Sequence, residues 1–127
     1  MDDRYNTRLD NKYGQSELID IPSEVAAHQP WFNQTLTQVN DCVVRLGIIS
    51  TARVSLRQAR ARGRVTVLDG ELLYINVRGK DTMTLTKHLG YTVPAPAFVD
   101  GVHRTRAHVK TVILMVEAAT VTPTGDA

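Results

Sequence analysis

The chain has 127 residues, of which 43% are hydrophobic and 22% charged, and its formal net charge at pH 7 is +2. That length supports one domain with its own core, and the composition excludes a disordered chain; Cys42, the only cysteine, excludes a disulfide scaffold. The longest apolar run, Val112 to Val116, is too short to span a bilayer, and no apolar stretch follows the polar start Met1-Asp2-Asp3-Arg4, so the expectation is a soluble cytoplasmic protein.

Residues 1–14 are polar and weakly patterned and read as an N-terminal arm. Ser16 to Ile21 suggests a short strand stopped by Pro22, after which Ser23 caps one or two helical turns through Glu24-Val25-Ala26-Ala27, with Pro30 ending them. From Gln34 the signals are those of strands. Leu36, Val39, Val43, Ile48 and Ile49 sit among Thr and Asn residues, with Asn40-Asp41 as a turn. Val65 to Leu68 meets Asp69-Gly70, and Leu72 to Val77 meets Arg78-Gly79; both Gly-containing pairs read as hairpin turns. Thr82 to Leu85 alternates polar with apolar, Gly90-Tyr91-Thr92-Val93 follows, and Thr111 to Glu117 is the strongest strand. Residues 122–127 read as a flexible tail, which leaves 15–121 as the folded domain. Short strands at close spacing predict an all-β sandwich or barrel.

Several segments carry a resemblance. Trp31-Phe32-Asn33-Gln34-Thr35-Leu36, Val39 to Gly47, Leu68-Asp69-Gly70-Glu71-Leu72-Leu73, Gly90 to Pro94, His103-Arg104-Thr105-Arg106-Ala107 and Thr111 to Glu117 resemble small single-domain bacterial cupins of the type-2, mannose-6-phosphate isomerase-like kind. The resemblance implies a double-stranded β-helix (jelly-roll) barrel with a short N-terminal helical turn. It also implies a divalent metal (Mn, Fe, Ni or Zn), held by two His and a Glu from a first motif and by one His from a second. Imidazole and carboxylate groups projecting into such a barrel fill part of a metal's shell and leave positions open for substrate.

Here the first motif is absent. With Gly70 as its closing glycine, the Glu position falls at Gly63 and the His pair at Arg57 and Ala59, or at Leu56 and Gln58. The second motif keeps His103, displaced from Pro94 by the extra stretch Ala95 to Asp100. His103 is therefore the sole retained metal-ligand candidate, and a single His is a poor metal site, so tight metal binding is not expected.

Thr51 to Arg64 matches the family nowhere. It carries Arg53, Arg57, Arg60, Arg62 and Arg64, with no acid between Asp41 and Asp69. Three readings stand: a solvated edge strand with outward charges, an anion-binding patch, or a local change of reading frame. For the last, Gln58 to Arg64 can be encoded as CAA GCA CGA GCA CGA GGA CGA, which shifted by one base, and taking in the G of the Val65 codon, reads Lys-His-Glu-His-Glu-Asp-Glu. Strand alternation puts Arg60, Arg62 and Arg64 on an outer face and Ala59, Ala61 and Gly63 on the inner one. Arg60, Arg62, Arg64, Arg104 and Arg106 are the candidate anion contacts.

His28, His88 and His108 read as surface residues, Cys42 as a small buried hydrophobe, and Trp31, Tyr74 and Tyr91 as core or rim packing. The sequence thus points to a cupin-domain protein of unassigned activity without most of its family's metal ligands. The alternative is a non-catalytic binding or dimerisation module whose Arg53–Arg64 segment engages an anionic partner. A small-molecule ligand in the barrel is the expected partner. A homodimer is implied by resemblance, and neither a membrane nor a nucleic-acid partner is expected.

Overall fold

The computed structural model describes residues 6–50, 54–57, 63–76, 82–93 and 103–120. Among them, ten strands and one helix follow in the order β1 (Asn6–Arg8), α1 (Ile21–Ala26), β2 (Phe32–Val39), β3 (Cys42–Ile49), β4 (Val54–Arg57), β5 (Gly63–Asp69), β6 (Glu71–Asn76), β7 (Thr82–Thr86), β8 (Gly90–Val93), β9 (His103–Ala107) and β10 (Thr111–Ala118). They make a six-stranded sheet, β1-β2-β3-β10-β5-β8, and a four-stranded sheet, β4-β9-β6-β7.

The pairing follows one rule. β6 pairs with β7, β5 with β8, β4 with β9 and β3 with β10, all antiparallel. These are nested pairs of a single long hairpin, and successive pairs fall alternately in the two sheets, which is the jelly-roll pattern. Closure into a barrel, as the resemblance implied, does not occur. Among the described residues both sheets are open, with β1 and β8 at the edges of one and β4 and β7 at the edges of the other. An alternating strand pattern asks only that one face be buried, and face-to-face sheets satisfy it as well as a closed barrel does.

Trp31, Ile49, Val67, Ile113 and Met115 of the large sheet or its border meet Leu72, Leu85 and Ala107 of the small one to form the core. The large sheet is covered on its other face as well: Tyr13, Ile19, Ile21 and Val25, from the N-terminal segment and α1, pack over Leu36, Leu46 and Val112. Burial on both faces explains why β3 and β10 read as nearly continuous apolar runs.

Gly70 is not a hairpin turn. It lies between β5 and β6, which belong to different sheets, so it is the corner at which the chain passes from one sheet to the other. Its φ of 90° explains the glycine. The turn at Asn40, with φ 55°, joins β2 to β3 as expected. Residues 77–81, which include Arg78-Gly79, lie outside the described residues, although the strands on either side of them do pair.

The N-terminal region departs from expectation. Ser16 to Ile21 forms no strand; Asp20 caps α1, accepting from the Ser23 N–H (3.1 Å) and the Ser23 hydroxyl (2.7 Å). Pro22 sits inside the first turn, where its missing N–H costs nothing. β1 adds to β2 in parallel, and the Lys12 and Tyr13 amides donate to the carbonyls of Thr35 and Leu36. Glu24, buried on α1, accepts from Lys12 Nζ (2.8 Å) and from the Tyr13 hydroxyl (2.5 Å). Burial pushes the Glu24 carboxyl up, but the bonds from Lys12 and Tyr13 and the Lys12 charge outweigh it, and the net shift is below the usual carboxylate range.

A carboxyl whose folded pKa is depressed adds stability above its unfolded pKa and loses it as pH falls through the folded value. The segment should therefore loosen in acid, below about pH 4. Hydrogen exchange at the Lys12 and Tyr13 amides is expected to accelerate there beyond its intrinsic trend in the wild type. Glu24→Gln should exchange faster already at neutral pH and show little of the acid step.

Candidate binding site between the sheets

Along β2, Phe32, Gln34 and Leu36 take the outer face. Leu36 lies under the α1 cluster, Gln34 donates to the Asp10 carbonyl (3.0 Å), and Phe32 stacks on His28 (3.7 Å between ring centroids) with Arg8 5.6 Å from its ring centre. Asn33 and Thr35 therefore point into the space between the sheets, in register with Gly47 and Arg45 of β3. Beside them on β10 stand Ile113, Met115 and Glu117.

This inner face holds a buried ion pair. Arg45 Nη1 donates to Glu117 Oε2 at 2.5 Å, with the two side chains only 4% and 2% exposed. Arg45 Nε donates to the Thr35 hydroxyl at 3.0 Å. Removing two charges from water costs several kcal/mol per ion, recovered only where the geometry and added hydrogen bonds are good, and the Thr35 bond supplies one of these. Gly63 of β5 is the in-register neighbour of Glu117, and a Cβ there would lie 3.5 Å from Glu117 Oε1.

Asn33 is different. It is 0% exposed, and neither its Oδ1 nor its Nδ2 has a hydrogen-bond partner among the described residues. The local reason is plain. Its cross-strand neighbour Gly47 has no side chain, and the space above Gly47 is taken by Ile113 and Met115, which a Cβ would meet at 3.0 and 3.2 Å. The next inward group on β2, the Thr35 hydroxyl, is engaged by Arg45. A buried polar group left unsatisfied costs about 1–3 kcal/mol.

The residues singled out in the sequence are distributed as follows. His103 opens β9, its backbone in register with Arg57 of β4 and Asn76 of β6. The topology thus sets the second-motif position beside a first-motif position, and Arg57 occupies the latter. Arg104 pairs with Leu56 and Ile75, while Arg106 pairs with Val54 and Leu73 and is exposed. Arg64 is exposed on β5, and Gly63 next to it faces inward against Glu117, which is the alternation expected. Arg60 and Arg62 lie outside the described residues. His88 and His108 are exposed, whereas His28 is half-buried in its stack, and Cys42 is half-buried rather than buried.

Arg45, Glu117 and Asn33 were not anticipated as site residues. One signal was available: a charge inside a strand that reads as apolar on both faces has to be buried, and buried charges are paired.

No known family model matches the sequence, and no curated protein matches it. Solved structures do. A cupin-2 domain containing protein from Shewanella frigidimarina superposes with a TM-score of 0.69 at 17% identity, covering 82% of this chain and 97% of that one. A cupin superfamily protein from Desulfitobacterium hafniense gives 0.65 at 15% identity, covering 84% and 94%. A conserved protein of unknown function from Streptococcus pyogenes gives 0.64 at 18%, covering 85% and 91%. The fold is similar to that of these cupin structures, and at these identities the likeness extends to the fold alone.

The resemblance implies a divalent metal, and the donor set among the described residues does not fit one. Gly63, at the Glu position, offers no donor, and the carboxylate it faces is held by Arg45. Among the described residues no group of three or more His, Cys, Asp or Glu is placed to hold a metal ion. Nor is any helix among them long and apolar enough to cross a membrane.

Proposed function

We propose that this chain is a cupin-fold binding protein that takes a small polar molecule between its sheets and does not depend on a divalent metal. One observation carries the reading: Glu117, the buried carboxylate of the inner face, has its charge met by the Arg45 guanidinium at 2.5 Å. A metal recruited to Glu117 would have to displace that guanidinium or tolerate a cation beside it, and Coulomb repulsion at such distances opposes both. On this reading His103 is not one member of a ligand set.

Elemental analysis of the purified protein tests this. After dialysis against Mn, Fe(II), Ni or Zn and then against metal-free buffer, each metal is expected well below one equivalent per chain. A stoichiometric metal lost on His103→Ala would overturn the proposal.

A further inference from the structure

We infer that Asn33 is the recognition group of this site, and that its ligand presents a hydrogen-bond donor and an acceptor side by side, as a carboxamide, a carboxylic acid or a lactam edge does. The inference rests on the proposed binding function and narrows it to a residue and a chemistry. A primary carboxamide offers an acceptor oxygen and a donor N–H₂ a short distance apart in one plane. Both atoms of Asn33 are buried and neither is hydrogen-bonded to the described residues. Its surroundings were open to a cheaper choice, since Ile113 and Met115, which cover its cross-strand neighbour Gly47, are apolar. Backbone demands do not call for Asn either. Position 33 lies inside β2, paired to β3, and is not among the residues of positive φ. A single-function ligand, an ether or a ketone, would meet the amide nitrogen and leave the Asn33 Oδ1 without a donor, whereas a donor–acceptor edge meets both atoms at once.

The neighbouring Arg45 and Glu117 do not compete for that edge, because their charges answer each other and Arg45 Nε is spent on Thr35. Selection therefore falls on hydrogen-bond pattern rather than on net charge. Neutral lactams and amides should bind as well as acids do.

The test uses the full chain, ¹⁵N-labelled, titrated with 2-pyrrolidinone, its N-methyl analogue and cyclopentanone. 2-Pyrrolidinone is expected to shift the Asn33 side-chain N–H₂ pair together with the Trp31 indole and the Gly47 amide. The two analogues, which lack the donor, should bind at least tenfold more weakly. Asn33→Leu should fold with an unchanged melting temperature or a higher one and lose the preference for pyrrolidinone over its N-methyl analogue. Asn33→Val, which removes both polar atoms and suits a strand, serves as the second variant should the Leu protein fail to fold, and it too should lose the preference.

If pyrrolidinone shifts the indole and Gly47 equally in wild type and variants, the interior binds ligands but Asn33 does not select them. The inference then fails while the binding function stands. If none of the three probes shifts any inner-face resonance, and the Asn33 amide shows exchange only with a held water, both fail.

Discussion

Replacing Arg45 with Met is expected to cost about 3–5 kcal/mol of folding stability, because it leaves the Glu117 carboxylate buried without its counter-charge. Against a total of roughly 5–15 kcal/mol for an ordinary domain, this brings the protein close to unfolding. Glu117→Leu should be comparably severe, since it strands the guanidinium. The double variant Arg45→Met, Glu117→Leu removes both charges and keeps the volume, and its stability should return to within about 1–2 kcal/mol of wild type or exceed it. Urea titrations of the four proteins close the cycle. Single variants indistinguishable from wild type would mean that the pair is not buried in solution, and the electrostatic argument against a metal would lose its basis.

Gly70→Ala is the second large effect. Two penalties add at this corner. A φ of 90° is strained for any residue bearing a Cβ, at about 1–3 kcal/mol. The added methyl also meets Thr111 Oγ1 at 2.5 Å, the Lys110 carbonyl at 2.6 Å and Thr111 Cα at 2.8 Å, two of them atoms of the main chain or its Cα that cannot rotate away. The Thr111 hydroxyl accepts from the Glu71 N–H (3.1 Å) and lies within bonding distance of the Glu71 and Val109 carbonyls (3.0 and 2.9 Å), so pushing it aside also unties the start of β6 from β10. A loss of about 3 kcal/mol or more is expected in thermal or urea unfolding. Gly14→Ala is the control. There the only close atoms belong to the end of the exposed Glu17 side chain, which can swing out, and a change below about 1 kcal/mol is expected.

These two positions mark what was legible in the sequence and what was not. The strand segments stood out because their alternation and turn residues are local signals. β2, β3, β7, β8 and β10 lie where the pattern places them. Which strands pair is not local. Asp69-Gly70 has the composition of a hairpin turn, yet its strands diverge into separate sheets, because β10 has already taken the edge of β5 that β6 would need. Closure was misjudged for the same reason, as it depends on edges meeting and not on any strand's own residues.

The site was harder still. Arg45 and Glu117 are 72 residues apart, and they meet only because β3 and β10 are adjacent in a fixed register. The resemblance directed attention to the missing metal motif at Leu56 to Gly63. What the fold adds is that Gly63 faces an existing carboxylate whose charge Arg45 meets, which is the ground for proposing that no divalent metal is needed.

Thermal unfolding with and without metal tests that claim most directly. A ligand that binds the folded state at a hundred times its dissociation constant adds about 2.7 kcal/mol, which for a chain of this size raises the melting temperature by several degrees. Scans in EDTA and in excess Mn, Ni or Zn are expected to coincide for the wild-type protein. A rise of several degrees with one of these metals, abolished in His103→Ala, would contradict the account.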